Sequence, residues 1–185
     1  MTLPNYQELW DTMEFNDVPA IITASKKILL NQDRYKTVVE GTIVPWQIIG
    51  VTHYREASCD FKCHPHNGDP LTNRTVNVPN HRPIEGNPPF TWEESAKDCY
   101  FTLKKLDEVE TWDITTILAK LEAYNGLGYI KYHPDVLSPY LWSKTGHYIA
   151  GKYSSDGHFD ASLVDKQCGV APIYRYLTDK TLGLV

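Results

Sequence analysis

Apolar residues recur at helical spacing along most of this chain and lose that spacing in one block. Leu9, Trp10 and Met13 fall on one side of a short amphipathic helix predicted over 5–14. A longer helix is predicted over 18–40, with Pro19 tolerated in its first turn and Gly41 just past its end. Pro45 opens a third, along which Trp46, Ile49, Gly50 and His53 recur at helical spacing. The period returns at Thr91-Trp92-Glu93-Glu94, a capping-box start with Thr91 as N-cap and Glu94 at N3. Further helices are predicted over 113–124 and 160–177, the latter capped by Asp160.

Between Cys59 and Pro89 the helical period is replaced by Asn, Gly, Pro and Asp. Within that block Thr72-Asn73-Arg74-Thr75-Val76-Asn77-Val78 alternates in the manner of a strand, which predicts an irregular β-hairpin or lobe over 59–89. A connection of that length inside a compact domain is usually functional. There is no internal repeat and no dividing linker. The predicted fold is therefore mainly α (α+β): one domain over 1–185, helical, with a small β-hairpin lobe forming one wall of a cleft.

At 185 residues the chain can bury roughly 68–70% of its unfolded surface without disulfide or metal staples. Hydrophobic content of 42% and aromatic content of 12% place it among folded globules. It carries 18 Lys+Arg against 23 Asp+Glu, a net −5, with no basic run. The electrostatic footprint of a nucleic-acid binder is missing, and nothing favours attraction to an anionic membrane. No window approaches ~18 uninterrupted apolar residues, so no membrane span is expected. The opening MTLPNYQELWDTMEF lacks a basic segment followed by an apolar one, so the expectation is synthesis in the cytoplasm without a secretory signal. A monomer is expected.

Four cysteines, Cys59, Cys63, Cys99 and Cys168, need an account. Cys59-x3-Cys63-His64-x-His66 places four metal-ligand types within eight residues. Structural zinc sites more often pair two well-separated ligand clusters, so no metal and no cofactor is assigned. Cys99 and Cys168 lie in apolar patterns, where a free thiol acts as a small buried hydrophobe.

Candidate chemistry rests on carboxylates. Glu56 ends the third predicted helix and shares a face with Ile49, Thr52 and His53. Partial burial and the negative end of the helix both favour a protonated carboxyl, as a general acid requires. An ordinary salt bridge at a helix edge would use the same residue. Asp69 follows thirteen residues later in His66-Asn67-Gly68-Asp69-Pro70, a turn in which Asp is common without any catalytic role. The order of apolar helix, terminal Glu, turn, Asp and lobe can put two carboxyls on opposite walls of a groove. Glycoside hydrolysis needs that pairing of an acid with a second group across the sugar. Thr72 can hold a water near Asp69, and His66 can touch substrate or build the turn. Further on, Glu122-Ala123-Tyr124-Asn125-Gly126 ends a helix at a glycine, offering a ring and an amide at Tyr124 and Asn125 or a plain C-cap. Trp142 and His147 lie in an aromatic stretch that can stack on sugars or pack the core.

These residues resemble a known superfamily. His53-Tyr54-Arg55-Glu56-Ala57-Ser58 resembles the helix-terminal Glu-Ser region of goose-type lysozymes and soluble lytic transglycosylases, and Ala123-Tyr124-Asn125-Gly126 looks like their Ala-Tyr-Asn-Ala-Gly motif. The combination HNGDPLTNRTV, PPFTWEESA and LSPYLWS is similar to a lysozyme-like family of phages and bacteria, over roughly residues 44–177. The resemblance implies a lysozyme-like fold and a peptidoglycan glycosidase, a muramidase-type endolysin. It makes Glu56 the catalytic acid, Asp69 the second carboxylate, and Tyr124 and Asn125 cleft residues. It implies peptidoglycan glycan strands as partner, and release to the wall by a holin-type route. Ala57 separates Glu56 from Ser58, and the HNGDPL turn stands where transglycosylases carry Gly-Leu-Met-Gln. Those departures favour hydrolysis. The alternatives are a lytic transglycosylase forming anhydromuramic products, a non-catalytic glycan-binding module, and a zinc protein built on Cys59, Cys63, His64 and His66.

Overall fold

The computed structural model describes residues 3–155 and 157–179. Its helices are α1 (Tyr6–Asp11), α2 (Val18–Leu29), α3 (Gln32–Val39), α4 (Trp46–Ala57), α5 (Trp92–Lys97), α6 (Ile114–Asn125), α7 (Gly128–Tyr132), α8 (Pro139–Trp142) and α9 (Val170–Thr178). Two short strands, β1 (Lys152–Ser155) and β2 (His158–Asp160), pair antiparallel, with Tyr153 opposite Phe159. The fold is mainly helical, as the pattern predicts, and its small hairpin lies at 152–160 rather than in the block where a hairpin is expected. It forms two compact units, Met1–Lys26 with Asp113–Val185, and Lys27–Trp112.

Three predicted elements are corrected. The helix over 18–40 is two helices, because Asn31 Nδ2 donates to the Lys27 carbonyl at 2.9 Å and closes α2 before α3 begins. The helix over 160–177 starts at Val170. Asp160 ends β2, and its Oδ1 accepts from Ser162 N and Oγ at 2.8 and 2.7 Å, a local turn that competes with helix. The expected β lobe over 59–89 contains no strand, only an isolated antiparallel bridge between Cys63 and Pro70. Its alternation misleads: Thr75 is buried, while Val76 and Val78 are 78% and 81% exposed. Prolines at 79, 83, 88 and 89 cannot donate to a ladder. Side chains organise the segment in its place. Thr75 Oγ1 donates to Pro79 O at 2.6 Å and accepts from Arg82 N at 2.9 Å.

In the unit Lys27–Trp112, α3 packs on α4 and on α5. Gly50 makes the close approach possible, since a Cβ there would lie 2.5 Å from Ile28 Cγ2. Tyr35, His53, Phe61 and Trp92 form one aromatic nest with ring centroids 4.7–5.8 Å apart. The predicted capping box opens α5: Thr91 Oγ1 accepts from Glu94 N, and Glu94 Oε2 accepts from Thr91 N. In the other unit, α6 packs against α1 and α8, and α8 against α9. Cys99 and Cys168 are both buried and outside any disulfide, Cys168 just ahead of α9 rather than within it.

Candidate functional site

Pro45 is the N-cap of α4, which is buried from Ile48 to His53 and reaches the surface in its last turn. Glu56 sits in that turn, half-buried, as the spacing from Ile49, Thr52 and His53 requires. Ser58 and Cys59, both at positive φ (52° and 62°), then reverse the chain. The reversal leads into a tight turn in which His64 N donates to Asp69 O at 2.7 Å and Gly68 N to His64 O at 2.9 Å. Gly68 has φ +81°, and a Cβ there would lie 2.8 Å from the Glu56 carbonyl oxygen. Only glycine fits both demands. The turn that carries Asp69 is therefore laid directly on the end of the helix that carries Glu56. Lys104, half-buried in the same unit, is held below the usual ammonium pKa by burial, an effect that the charges of Cys99 and Glu56 oppose.

Asp69 is 8% exposed and accepts four hydrogen bonds. Oδ2 takes Val76 N at 2.8 Å, Asn77 N at 2.9 Å and Asn67 Nδ2 at 3.2 Å, while Oδ1 takes Asn77 Nδ2 at 2.6 Å. Burial raises its pKa, but the backbone and side-chain donors of Asn77, Val76 and Asn67 together outweigh that and hold it below the ordinary carboxylate value. The carboxylate is ionised and ties the loop at 76–77 to the turn. Thr72 is exposed and accepts from Asn73 Nδ2 at 3.5 Å.

His66 is not at the surface. Its side chain is fully buried, and its Nε2 lies 2.9 Å from Asp98 Oδ2. Asp98 also receives Arg82 Nη1 at 3.3 Å and Ile84 N at 3.2 Å. His64 Nε2 donates to Asn73 O at 2.8 Å, which leaves its Nδ1 to accept from Ser95 Oγ at 2.6 Å. Ser95 Oγ also stands 3.4 Å from His66 Nδ1. Burial pushes the His66 pKa down to about 4 against the pull of Asp98, and lowers that of His64. Both rings are therefore neutral near pH 7. Ser95, His66 and Asp98 have the residue types of a nucleophilic triad, but Ser95 is 0% exposed and its one proton goes to His64. This relay anchors the 64–69 turn to α5 and to the π-helix Asp98–Leu103 that continues it. The expectation that His66 touches substrate is corrected by that burial. A cavity of about 280 Å³ opens beside Asp98, lined by Phe90, Lys97 and Thr102 among others and by none of the predicted site residues.

The metal-ligand types do not converge. His64 and His66 face Ser95 and Asp98, Cys59 interacts with the Tyr35 hydroxyl, and Cys63 interacts with Asp60. Among the described residues no group of three or more His, Cys, Asp or Glu is placed to hold an ion. Also among them, no helix is long and apolar enough to cross a membrane.

Tyr124, Asn125, Trp142 and His147 belong to the other unit. Asn125 is exposed at the last residue of α6, whereas Tyr124 is buried and stacks on Tyr140 with centroids 6.4 Å apart. Trp142 is fully buried, so it packs the core rather than offering a face to a sugar. His147 Nε2 donates to Leu9 O at 2.8 Å, with its ring edge-on to Trp142. For Trp142 this corrects a reading of the stretch as a sugar-stacking loop: four apolar or aromatic residues in the short helix α8 leave it no solvent face, while His147 lies beyond α8 and is half-buried.

Sequence reasoning missed the structural weight of His64, Ser95 and Asp98. Two histidines two positions apart, and Ser and Asp three apart across the end of a capped helix, were the available signal. It also passed over Glu122, which is 2% exposed. Comparison of the chain with protein-family models, curated proteins and solved structures finds no match.

Proposed function

We propose that this chain is a peptidoglycan glycosidase in which Glu56 is the general acid. The observation that carries the reading is the close seating of the Asp69 turn on the Glu56 end of α4, with Gly68 against the Glu56 carbonyl. A half-buried carboxyl and a carboxylate held ionised then share one local framework. Glu56 donates its proton to the glycosidic oxygen as the C1–O bond of N-acetylmuramic acid breaks, and positive charge develops on the ring. Asp69 contributes a fixed negative charge that stabilises this oxocarbenium-like state, and water adds to C1 as its proton passes to the Glu56 carboxylate, which restores the acid and completes hydrolysis.

One observation favours a second reading. Four donors already occupy Asp69, which leaves it little capacity to activate a water. A lytic transglycosylase needs no such water: Glu56 acts first as acid and then as base, and the 6-hydroxyl of the sugar closes an anhydro ring. Muropeptide analysis of purified walls, by chromatography and mass spectrometry, separates the two. Reducing-end muramic products from wild type and none from Glu56→Gln are expected. Anhydromuramic products would transfer the assignment to the transglycosylase, and no products from either protein would refute glycan cleavage altogether.

A further inference from the structure

In the unit Met1–Lys26 with Asp113–Val185, Tyr6 Oη, Glu122 Oε1 and Ser138 Oγ are buried with no hydrogen-bond partner among the described residues. The three residues are 1%, 2% and 2% exposed. They come from three elements that pack together: Tyr6 opens α1, Glu122 lies in the last turn of α6, and Ser138 is the N-cap of α8. The charge of Glu122 reaches the Tyr6 phenol, and the Ser138 hydroxyl lies beside the Glu122 carboxyl without an aligned bond. One turn further along α8, Trp142 Nε1 also has no partner among the described residues. Orphaned polar atoms at this density are rare in native interiors, and an anion among them is costly.

No cation answers the carboxyl. From α1 the facing group is Tyr6, and from α8 it is Ser138. The charged residues on these elements, Glu8, Asp11 and Lys120, make no contribution at Glu122, and no Lys, Arg or His among the described residues does. A neutral carboxylic acid suits this enclosure, since it offers both a donor and an acceptor to two hydroxyls or to a shared water. The anion offers only acceptors in an apolar setting.

We propose that Glu122, Tyr6 and Ser138 form a proton-operated latch that holds α1 on α6, closed while the Glu122 carboxyl keeps its proton and weakened when the proton leaves. His147 on Leu9 O and Arg175 on Trp10 O, the latter at 2.8 Å, tie α1 elsewhere and persist when the latch opens. Burial, partly offset by Ser138, supports this by raising the Glu122 pKa from 4.5 to about 7. The unfolded chain therefore releases this proton near pH 4.5 and the closed latch near pH 7. Its stability contribution is intact below pH 4.5, falls between 4.5 and 7, and is flat above. This inference is independent of wall cleavage.

The test is amide exchange at Leu9 and Thr12, whose N–H groups donate to Asn5 O and Glu8 O in α1. It is read in wild type and Glu122→Gln at pH 5 and pH 8.5, with a carbon-13 titration of the Glu122 carboxyl. Across that range the opening constant of wild type rises about 70-fold more than that of the variant, and the carboxyl titrates near pH 7. Parallel profiles, or a carboxyl that titrates below pH 5.5, overturn the proposal. If the variant does not fold, the wild-type titration decides alone.

Discussion

Replacing Gly68 with alanine tests whether the seating of the Asp69 turn on α4 is as tight as the geometry makes it. Two costs combine. An L-residue at φ +81° adopts a left-handed backbone, worth roughly 1–2 kcal/mol. The new Cβ would stand 2.8 Å from the Glu56 carbonyl oxygen, a backbone atom that cannot rotate away. Relieving such overpacking costs about 1–3 kcal/mol. Gly41 is the built-in control, because it shares a positive φ (+78°) but has nothing within 4 Å of its added Cβ. Gly41→Ala should therefore show only the conformational cost, near 1–2 kcal/mol, and Gly68→Ala about 2–5 kcal/mol. For a chain of this size that corresponds to a Tm lowered by roughly 2–8 °C and 4–20 °C respectively. Urea and thermal unfolding of the three proteins, followed by near-ultraviolet circular dichroism, measure the difference directly. Equal losses in the two variants would refute the close approach and, with it, the framework on which the Glu56 proposal rests.

The remaining predictions concern charge. His66 is depressed to about 4 in the fold against 6.5 in the unfolded chain, so its contribution is complete above pH 6.5 and is lost as pH falls toward 4. His66→Gln keeps a donor for Asp98 without the titration. It should cost about 1–3 kcal/mol at pH 7 and flatten the acid limb in urea titrations from pH 4 to 7.5; an unchanged limb would exclude His66 as its source. Asp69, held below the ordinary value, stabilises above pH 3.8 and loses that contribution as pH drops further. Asp69→Asn turns an amide toward existing donors and should cost about 1–3 kcal/mol at pH 7, while losing less than wild type between pH 4 and 2.5. If the variant is as stable as wild type at pH 7, the four-donor cradle is not holding an anion.

The buried groups are expected to act in opposite senses in the two units. Acid should weaken Lys27–Trp112 through His53 and His66, both depressed by burial to about 4, and base should weaken the other unit through Glu122. In each case the charged form of a buried side chain lacks adequate solvation, and the sign follows from whether that form carries the proton.

Local signals along the chain were sufficient wherever the structure depends on local interactions. The capping box at Thr91 and Glu94, the Pro45 start of α4, and the emergence of Glu56 at its end all follow from spacing and side-chain chemistry within a turn or two. The mainly helical class follows in the same way, because amphipathic periodicity is written in contiguous residues. Where two local signals compete, the sequence is ambiguous: Asn31 divides a continuous apolar period, and Asp160 spends its carboxylate on Ser162 instead of capping a helix. The rest needed tertiary structure. Alternation over 72–78 reads as a strand, but no partner strand meets it, so its valines face solvent and its threonine bonds inward. His66 and Trp142 look like surface groups suited to sugars, yet the fold buries one on Asp98 and the other in the core around α8. Gly68 reads as an ordinary turn glycine until the Glu56 carbonyl is found beside it. The unusual character of Glu122 is invisible in Leu121-Glu122-Ala123, because a carboxyl is perturbed by what surrounds it in space. Sequence determines which groups exist and how each turn begins; desolvation and long-range contact decide which of them remain available for chemistry.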